Sequence, residues 1–422
     1  MTELMAELDP VQLGESAERM ILALGAVSAE PRRLVRRFLT PEHRRAADLV
    51  ASWMTEAGLD VTEDALGTVR GHWAGAGEVA GRNTGKRLLI GSHIDTVIDA
   101  GLYDGNLGVV AGILAARHFA KAGRRLPVAL DVLAFGDEEG VRFPATLNSS
   151  RAAAGVFRDA ALDMTDADGV TLREALVRYG KDPADIPAAA FSPDEVAGYV
   201  EVHIEQGPVL ENRSQPLGVV TAIAGQSYLS IELMGEAGHA GTVPMMMRRD
   251  ALGGAAEIIL QAERMARDTS GDVVATVGVV NISAAATNVI PGHVVLIVDI
   301  RSGTDAARLD FVERLKTDIR AIADRRHLGL QVTQTRNVAT TPCDPGIAGG
   351  IAAAIAASGG EPLRLASGAG HDGTAMAQVG PIGMMFVRCR GGVSHNPAEY
   401  ASPHDMGQAV AALIRFIEGF RP

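Results

Sequence analysis

The sequence predicts an α/β protein in which helices flank a mixed sheet and a smaller four-stranded α+β domain, ferredoxin-like in pattern, interrupts the chain. The first observation is residues 128–135 (VALDVLAF), a nearly continuous apolar run typical of a strand buried on both faces. The second is that such runs alternate with helical patterns before residue 213 and again towards the end of the chain. The third is a change between these parts to a strand, helix, strand, strand, helix, strand pattern. We therefore predict a discontinuous larger domain, residues 1–213 and 334–422, and an inserted domain, residues 214–333.

Length, charge and cysteine content narrow the class of protein. A chain of 422 residues is long enough for two domains. The net charge of -12 argues against nucleic acid or an anionic membrane as the main partner, although local arginines can still bind a small anion. No apolar run approaches the roughly 20 residues that span a bilayer, and no signal-peptide pattern is visible. Because the only cysteines are Cys343 and Cys389, we expect no disulfide framework and a cytoplasmic protein.

The N-terminal part is predicted to be helical before the chain enters the sheet. Helical patterns fill much of residues 15–59, where Pro41 stands at a position that a first helical turn tolerates. Strand patterns follow near residues 61 and 68–70. Residues 73–86 contain many glycines and few apolar residues, which is typical of a surface loop.

Residues 88–112 carry the first functional signal. An apolar run ends at Gly91, His93 and Asp95 follow, and a second apolar segment with a helical pattern begins beside Asp104. This pattern predicts a strand, a loop and a helix, and open α/β sheets build their sites at the carboxyl ends of strands. A His and an Asp there can share a metal, and Asp95 could orient the ring of His93. A polar loop without a function is the alternative for this stretch by itself.

Other predicted strand ends carry residues of the same kind. The run VALDVLAF leads to the adjacent Glu138 and Glu139, whose charges repel each other unless a cation or a proton offsets them. A solvated acidic turn is the alternative for an isolated pair. A predicted strand at 198–204 carries His203, and His395 follows the last apolar run before the C-terminal helix.

The inserted domain is predicted from its own periodicity. Its two helical segments are amphipathic, which favours a sheet with both helices on one face. We predict strands near 218–236, 272–282, 293–301 and 329–337 and helices near 249–267 and 305–327.

Taken together, the polar strand ends predict a metal centre. Three histidines with two or three carboxylates suit two borderline-hard divalent ions that share one bridging carboxylate. One further carboxylate must stay free of metal, because a proton has to pass from a metal-bound water to the leaving group. The adjacent Glu138 and Glu139 can supply both a ligand and this base.

Nine motifs in a fixed order resemble the hydantoinase/carbamoylase family of dinuclear metal amidohydrolases, relatives of the aminoacylases and metallo-carboxypeptidases. The resemblance covers essentially the whole chain. It is carried by GSHIDTV (91–97), YDGNLGV (103–109), FGDEEGVRFP (135–144), EVHIEQGP (201–208), GEAGHAGTVPM (235–245), NVIPG (288–292), DIR (299–301), SGAGHD (367–372) and GGVSHNPAEY (391–400).

The resemblance implies a role for each residue of the centre. The metallopeptidase-like catalytic domain would hold two ions, zinc or manganese, and the insert would be the lid and dimerisation domain. Asp104 would bridge the ions and Glu138 would be the general base and then the acid. Asp95 would orient His93. The other ligands implied, on one ion or the other, are His93, Glu139, His203 and His395.

The resemblance also implies four substrate contacts, each with a physical rationale. Arg301 can grip a substrate carboxylate with two hydrogen bonds. Gln206 and Asn288 supply amide donors and acceptors. His239 could donate to the oxygen that becomes negative in the tetrahedral intermediate, and in the family this histidine comes from the partner subunit of a homodimer.

The activity that the resemblance implies is removal of the carbamoyl group of a ureido acid, with release of ammonia, carbon dioxide and an amine. The sequences of the motifs favour allantoate as the substrate. Allantoate is an intermediate of purine degradation. N-carbamoyl-L-amino-acid hydrolase and β-ureidopropionase remain alternatives, and a dipeptidase or aminoacylase is a more distant one. A metal-free binding protein is disfavoured because every ligand and base position is filled. Two features have no assigned role: His371-Asp372, and Arg388-Cys389-Arg390, which departs from the family pattern.

Overall fold

The computed structural model describes residues 8–76, 85–269, 271 and 273–422. Part of the predicted loop at 73–86, namely residues 77–84, and the first residue of the predicted strand 272–282 lie outside them. Within the described residues the α-helices are α1 (Pro10–Gly25), α2 (Pro41–Glu56), α3 (Asn106–Lys121), α4 (Asn148–Ala153), α5 (Leu172–Arg178), α6 (Val209–Asn212), α7 (Ala251–Arg267), α8 (Asp305–Arg325), α9 (Pro345–Ala357), α10 (Gly373–Met376) and α11 (Pro403–Gly419). The strands are β1 (Asp60–Glu63), β2 (Val69–Trp73), β3 (Arg87–His93), β4 (Ala129–Phe135), β5 (Val196–Ile204), β6 (Leu217–Ile223), β7 (Gly225–Met234), β8 (Gly238–His239), β9 (Val273–Ile282), β10 (Val289–Ile290), β11 (His293–Ser302), β12 (Gly329–Val338), β13 (Thr341–Pro342), β14 (Leu363–Ser367) and β15 (Ile382–Val387).

The described residues form two compact units. The first takes in the residues up to Thr221 together with Cys343–Leu365 and Ala369–Pro422. The second takes in Ala222–Pro342 and Ala366–Gly368. The chain therefore leaves the first unit, builds the second and returns.

A mixed sheet forms the centre of the first unit. Its strand order is β1-β2-β4-β3-β5-β15-β6-β13, and β14 pairs with β6. The four central strands β4, β3, β5 and β15 are parallel to one another. Their carboxyl ends therefore meet at one edge of the sheet, which brings together the loops that follow residues 93, 135, 204 and 387.

Helices cover the mixed sheet because their sequences supply both caps and apolar faces. An N-cap side chain followed by proline starts α1 (Asp9, Pro10), α2 (Thr40, Pro41), α9 (Asp344, Pro345) and α11 (Ser402, Pro403). Helices α1 and α11 cross in close contact, since a Cβ at Gly14 would lie 1.9 Å from the Pro403 carbonyl oxygen. No helix in the described ranges combines the length and the apolar character that crossing a bilayer requires.

The second unit is an antiparallel sheet in the order β12-β7-β11-β9, with α7 and α8 packed on one face. Along β11 the side chains alternate strictly, so that Val298 and Ile300 face the helices while Asp299 and Arg301 lie on the other, helix-free face. The mixed sheet flanked by helices and the separate four-stranded α+β sheet confirm the predicted fold class.

One strand prediction was wrong in detail. Residues 218–236 do not form a single strand: β6 pairs with β15 in the mixed sheet, and β7 pairs with β11 and β12 in the second unit. The break falls at Ala224, between the mostly buried β6 and the strictly alternating β7. Both segments have apolar residues of strand character, so composition does not reveal the break, and only the change from a continuous to an alternating pattern marks it.

A buried ion cluster joins three strands of the mixed sheet. The Asp131 carboxylate, on β4, accepts hydrogen bonds from Arg70 (2.9 Å), His72 (2.9 Å) and Arg87 (3.1 Å). Burial acts to raise the pKa of Asp131, but the hydrogen bond from His72 and the charges of the two arginines outweigh burial and lower the pKa.

We expect Asp131→Ala to destabilise the protein by about 3 kcal/mol, because removing one partner of a buried ion pair leaves the other charges without it. Asp48→Ala, which breaks an exposed pair with Arg44, is the control and should cost less than about 1 kcal/mol. The pKa of Asp131 is lowered by folding, so its contribution is present above about pH 4 and is lost as the pH falls through the folded value. Urea unfolding at neutral and acid pH measures both effects, and equal stabilities of wild type and Asp131→Ala at neutral pH would contradict the prediction.

Candidate metal centre

Asp104 stands at the centre of the site, in the loop between β3 and α3. Its Oδ1 lies 3.4 Å from Nε2 of His93 and 3.0 Å from Nε2 of His203. Its Oδ2 lies 3.3 Å from Nε2 of His395, and Oε2 of Glu139 lies 3.6 Å from the same nitrogen. One carboxylate thus faces three imidazoles, two on one oxygen and one on the other.

These donors fall into two sets that share Asp104. One set is His93, Asp104 and His203, and the other is Asp104, Glu139 and His395; within each set the donor atoms lie within 4.8 Å of one another. Three imidazole nitrogens and two carboxylates suit zinc or a similar divalent ion. The arrangement of these donors therefore fits a pair of metal positions with a shared carboxylate.

Two of the histidines are held in the tautomer that metal binding needs. Nδ1 of His93 faces the Asp95 carbonyl oxygen at 3.1 Å, and Nδ1 of His203 faces the Ile204 carbonyl oxygen at 2.9 Å. A carbonyl oxygen only accepts, so Nδ1 must donate its hydrogen and the lone pair resides on Nε2. Both lone pairs then point towards Asp104.

Asp95 has a second structural role, which the sequence did not predict. Its carboxylate lies 3.5 Å from Nδ1 of His93, and it also accepts the backbone N–H groups of Glu138 (3.1 Å) and Glu139 (3.2 Å). One side chain at the end of β3 therefore fixes the loop after β4, and with it the positions of both glutamates.

The pair of glutamates is held close to other carboxylates. Burial and the nearby Asp104 raise the pKa of Glu139 to about 7. Burial also raises the pKa of Glu138 well above its usual range, reinforced by Glu139 and opposed by His93. Such repulsion is what a bound cation would offset. One oxygen of Glu138, one oxygen of Glu139 and one ring nitrogen of His93 also lie within 4.8 Å of one another.

Gly105 allows the chain to turn directly after Asp104. Its φ is +64°, in the left-handed region that favours glycine, and a Cβ there would lie 2.5 Å from the His93 ring. The glycine therefore permits both the turn into α3 and the close approach of the first histidine.

Sequence reasoning missed two residues that hold Asp104 from behind. The buried Glu399 accepts the backbone N–H groups of Tyr103 (2.8 Å) and Asp104 (3.1 Å). Ser394 lies between the two carboxylates, with Oγ 2.9 Å from Oδ2 of Asp104 and 3.0 Å from Oε2 of Glu399. Both residues belong to the motif GGVSHNPAEY, but nothing in the sequence showed that this motif lies against residue 104.

We expect Glu399→Gln to lower the affinity of the centre for divalent metal by roughly 10- to 100-fold, the usual cost of losing a residue that orients a ligand. Glu205→Gln is a matched control, because Glu205 also accepts two backbone N–H groups, those of Val209 and Leu210, without contacting Asp104. Metal content after dialysis against graded chelator measures the effect. Equal metal retention by the two variants would remove Glu399 from this role.

Gln206 lies beside the bridging carboxylate, in a strained backbone. Its Nε2 donates to Oδ2 of Asp104 (2.8 Å) and to Oγ of Ser394 (3.1 Å), and its φ is +56°. Its Oε1 is buried and has no hydrogen-bond partner among the described residues. A buried acceptor without a donor is costly, so this oxygen is a position where an added N–H group would be favourable.

A second missed carboxylate, Glu201, lies beneath the centre on β5. It is fully buried, and it accepts from Ser92 Oγ (3.2 Å), the Tyr199 hydroxyl (3.1 Å) and the Gly373 backbone N–H (3.0 Å). Burial raises its pKa. The signal for Glu201 in the sequence is a charged residue inside an otherwise apolar predicted strand (GYVEVHI). Through Gly373 it holds the motif that contains His371, whose ring centroid lies 4.5 Å from that of His203.

The departure at Arg388-Cys389-Arg390 has a structural explanation. Arg388 donates to both oxygens of Asp405 at the start of α11 (2.9 and 2.8 Å), and Arg390 lies over the Tyr400 ring at 4.6 Å. Cys389 is buried. These side chains are engaged in packing the end of β15.

The other predicted contacts lie in the second unit. His239 and Asn288 are neighbours, because β8 pairs with β10 and the Ala240 N–H donates to the Asn288 carbonyl at 2.8 Å. Nδ1 of the exposed His239 accepts the Gly241 N–H at 3.0 Å, which leaves the hydrogen on Nε2 and makes that atom a donor. Arg301 donates to Asp299 and to the Gly368 carbonyl oxygen.

Comparison with known proteins identifies the family of this chain. The sequence description of peptidase family M20/M25/M40 matches residues 89–419. An allantoate deiminase of Arabidopsis thaliana is 39% identical over 98% of this chain and 83% of its own length. An N-carbamoyl-L-amino acid amidohydrolase of Geobacillus stearothermophilus is 40% identical over 96% of this chain and 98% of its own. The crystal structure of an amidase of the hydantoinase/carbamoylase family from Burkholderia multivorans superposes with a TM-score of 0.89, at 32% identity over 96% of this chain and 97% of that one.

Proposed function

Since the chain belongs to peptidase family M20/M25/M40, and within it to the hydantoinase/carbamoylase amidases, we propose that it is a metal-dependent amidohydrolase that removes the carbamoyl group of allantoate. The family membership predicted from the motifs is thereby confirmed. The enzyme is a hydrolase of carbon-nitrogen bonds other than peptide bonds. The single observation that carries the proposal is the pair of donor sets that share Asp104, beside a glutamate that is available as a base.

Two divalent ions, zinc or manganese, fit the donors. His93 and His203 would hold one ion, Glu139 and His395 the other, and Asp104 would bridge them. When bound, such ions would supply Lewis acidity, which would lower the pKa of water and polarise the carbamoyl oxygen.

The chain's own residues would then move the protons. An Oε atom of Glu138 takes a proton from the attacking water and delivers it to the leaving nitrogen. Asp95 keeps Glu138 in place through its backbone N–H. The open Oε1 of Gln206 accepts an N–H of the ureido group, and Nε2–H of His239 donates to the oxygen that becomes negative.

Allantoate is preferred because several relatives of about 40% identity are named allantoate deiminases. An N-carbamoyl-L-amino acid is the second candidate substrate, favoured by the Geobacillus relative at 40% identity. Both substrates carry a carboxylate and a ureido group, and Arg301 would bind the carboxylate while Asn288 contacts the polar groups. The allantoate reaction would place the enzyme in purine degradation.

A homodimer is part of the proposal. Strand β9 lies at the edge of its sheet, and it exposes Val274 (56%), Val279 (40%) and Val280 (40%). An exposed apolar edge strand is a template for pairing with another chain. In such a dimer His239 would serve the partner's site. A cytoplasmic location accords with the two free cysteines, Cys343 and Cys389.

The test is ammonia release by the purified protein, stripped of metal and refilled with zinc or manganese. The panel is allantoate, N-carbamoyl-L-amino acids, N-carbamoyl-β-alanine, ureidoglycolate and a dipeptide. Metal-dependent release from allantoate supports the proposal, and release from another ureido compound alone moves the assignment to that substrate. Cleavage of the dipeptide alone, or silence throughout, overturns it.

A further inference from the structure

We propose that Asp299 is a positioning residue that fixes the guanidinium of Arg301, so that this pair selects ureido substrates that carry a carboxylate. The inference rests on the proposed function, which gives Arg301 the substrate carboxylate, and adds the residue that makes the arginine selective. It concerns the helix-free face of the four-stranded sheet, where Asp299 and Arg301 lie two residues apart on β11.

Asp299 holds one edge of the guanidinium. Nε of Arg301 lies 3.2 and 3.0 Å from the two oxygens of Asp299, and Nη2 lies 2.7 Å from Oδ2. The neighbouring Nη1 donates to the Gly368 carbonyl oxygen at 2.7 Å. Three directed contacts leave the side chain little freedom to rotate.

The hydrogen bonds to Asp299 and Gly368 leave two N–H groups of the guanidinium for other partners, and the Tyr228 hydroxyl also interacts with this side chain. A guanidinium has five N–H groups, and these contacts take one on each nitrogen. One N–H remains on Nη1 and one on Nη2, and two such N–H groups of a guanidinium can bind the two oxygens of a carboxylate. The Arg301 side chain is 33% solvent-exposed, so a ligand can reach it.

Asp299 is itself fixed from the neighbouring strand. Gln226 lies opposite Arg301 on β7, and its Nε2 is 3.3 and 3.2 Å from the two oxygens of Asp299. The same nitrogen donates to the hydroxyl of Tyr228, the residue opposite Asp299, at 3.0 Å. Gln226 therefore fixes the carboxylate of Asp299, and this carboxylate in turn fixes the guanidinium of Arg301.

This arrangement changes how a carboxylate is recognised. The charges of Asp299 and Arg301 cancel, so a ligand meets two directed N–H groups rather than a free positive charge. Pre-orienting a long side chain removes an ordering cost that binding otherwise bears, roughly 0.5–1.5 kcal/mol for each immobilised side chain. Without Asp299 the arginine keeps its charge but loses its orientation.

The test is a double-mutant cycle on the full-length enzyme, with kcat and KM measured for the ureido acid that it hydrolyses. We expect Asp299→Asn to raise KM about 10-fold with kcat changed less than threefold, and to have no further effect on KM in the Arg301→Ala background. Glu232→Gln is the control, because Glu232 lies on the same face but pairs with His293, and its KM should match the wild type.

Each outcome of this test supports or overturns the positioning role of Asp299. An unchanged KM in Asp299→Asn, or an equal increase in the Arg301→Ala background, overturns the positioning role while the wild-type activity stands. A lower Tm with a reduced apparent kcat and an unchanged KM would assign Asp299 to folding instead. A wild-type enzyme that is inactive on every ureido acid overturns the proposed function, and this inference with it.

Discussion

Glu138→Gln is expected to reduce turnover by about 10³-fold, within the 10²- to 10⁴-fold range that a positioned acid or base supplies, while metal content stays at the wild-type level. Glutamine keeps the shape of the side chain and the backbone N–H that Asp95 holds, but it cannot take a proton from water. Steady-state kinetics together with metal analysis of the same preparation measure both quantities.

Glu139→Gln is the matched control for that variant. The two residues are adjacent and the same Asp95 carboxylate holds both backbones, yet only Glu139 lies beside His395 and Asp104. Glu139→Gln should therefore lose metal and activity together. Loss of metal from Glu138→Gln would show that the base and the ligand have been assigned the wrong way round.

Asp104→Asn is expected to have the second large effect, loss of both ions. The neutral amide can offer one oxygen to one ion only, whereas the carboxylate faces His93 and His203 with one oxygen and His395 with the other. The loss of metal affinity should exceed about 100-fold, the upper end for residues that merely orient a ligand. Metal-to-protein ratios measured over a chelator series test it.

His395→Ala separates one position from the other. His395 belongs only to the set with Asp104 and Glu139, so this variant should retain one ion per chain. An Asp104→Asn protein that keeps one ion at wild-type affinity would contradict the bridging role.

The sequence was sufficient to predict the positions of candidate site residues that stand at the ends of strands. His93 and His203 stand at the ends of apolar runs that became β3 and β5, and parallel strands bring such ends to one edge. The same reasoning placed Glu138 and Glu139 after β4. The sequence also contains the signal for Asp299, because Asp299 and Arg301 are two residues apart in the motif DIR and residues two apart on a strand share a face.

The sequence was insufficient where a residue acts across a large separation. Glu399 contacts the backbone at residue 104 from the far end of the chain, and no local pattern predicts which loop it meets. Gln206 was expected to contact substrate, but the orientation of its amide depends on Asp104 and Ser394. The break at Ala224 between β6 and β7 could not be predicted from composition, because both segments are apolar.

The distribution of the donors over β3, β4, β5 and β15 has a thermodynamic consequence. Ions held by residues in or after these four strands would cross-link the mixed sheet. Because the unfolded chain cannot offer the same donors together, the energy of metal binding would become energy of folding. At a free metal concentration of about 1,000 times Kd this linkage amounts to about 4 kcal/mol. The melting temperature of the protein should therefore report the metal concentration around it, and purification in chelator would yield a protein that is heat-labile as well as inactive.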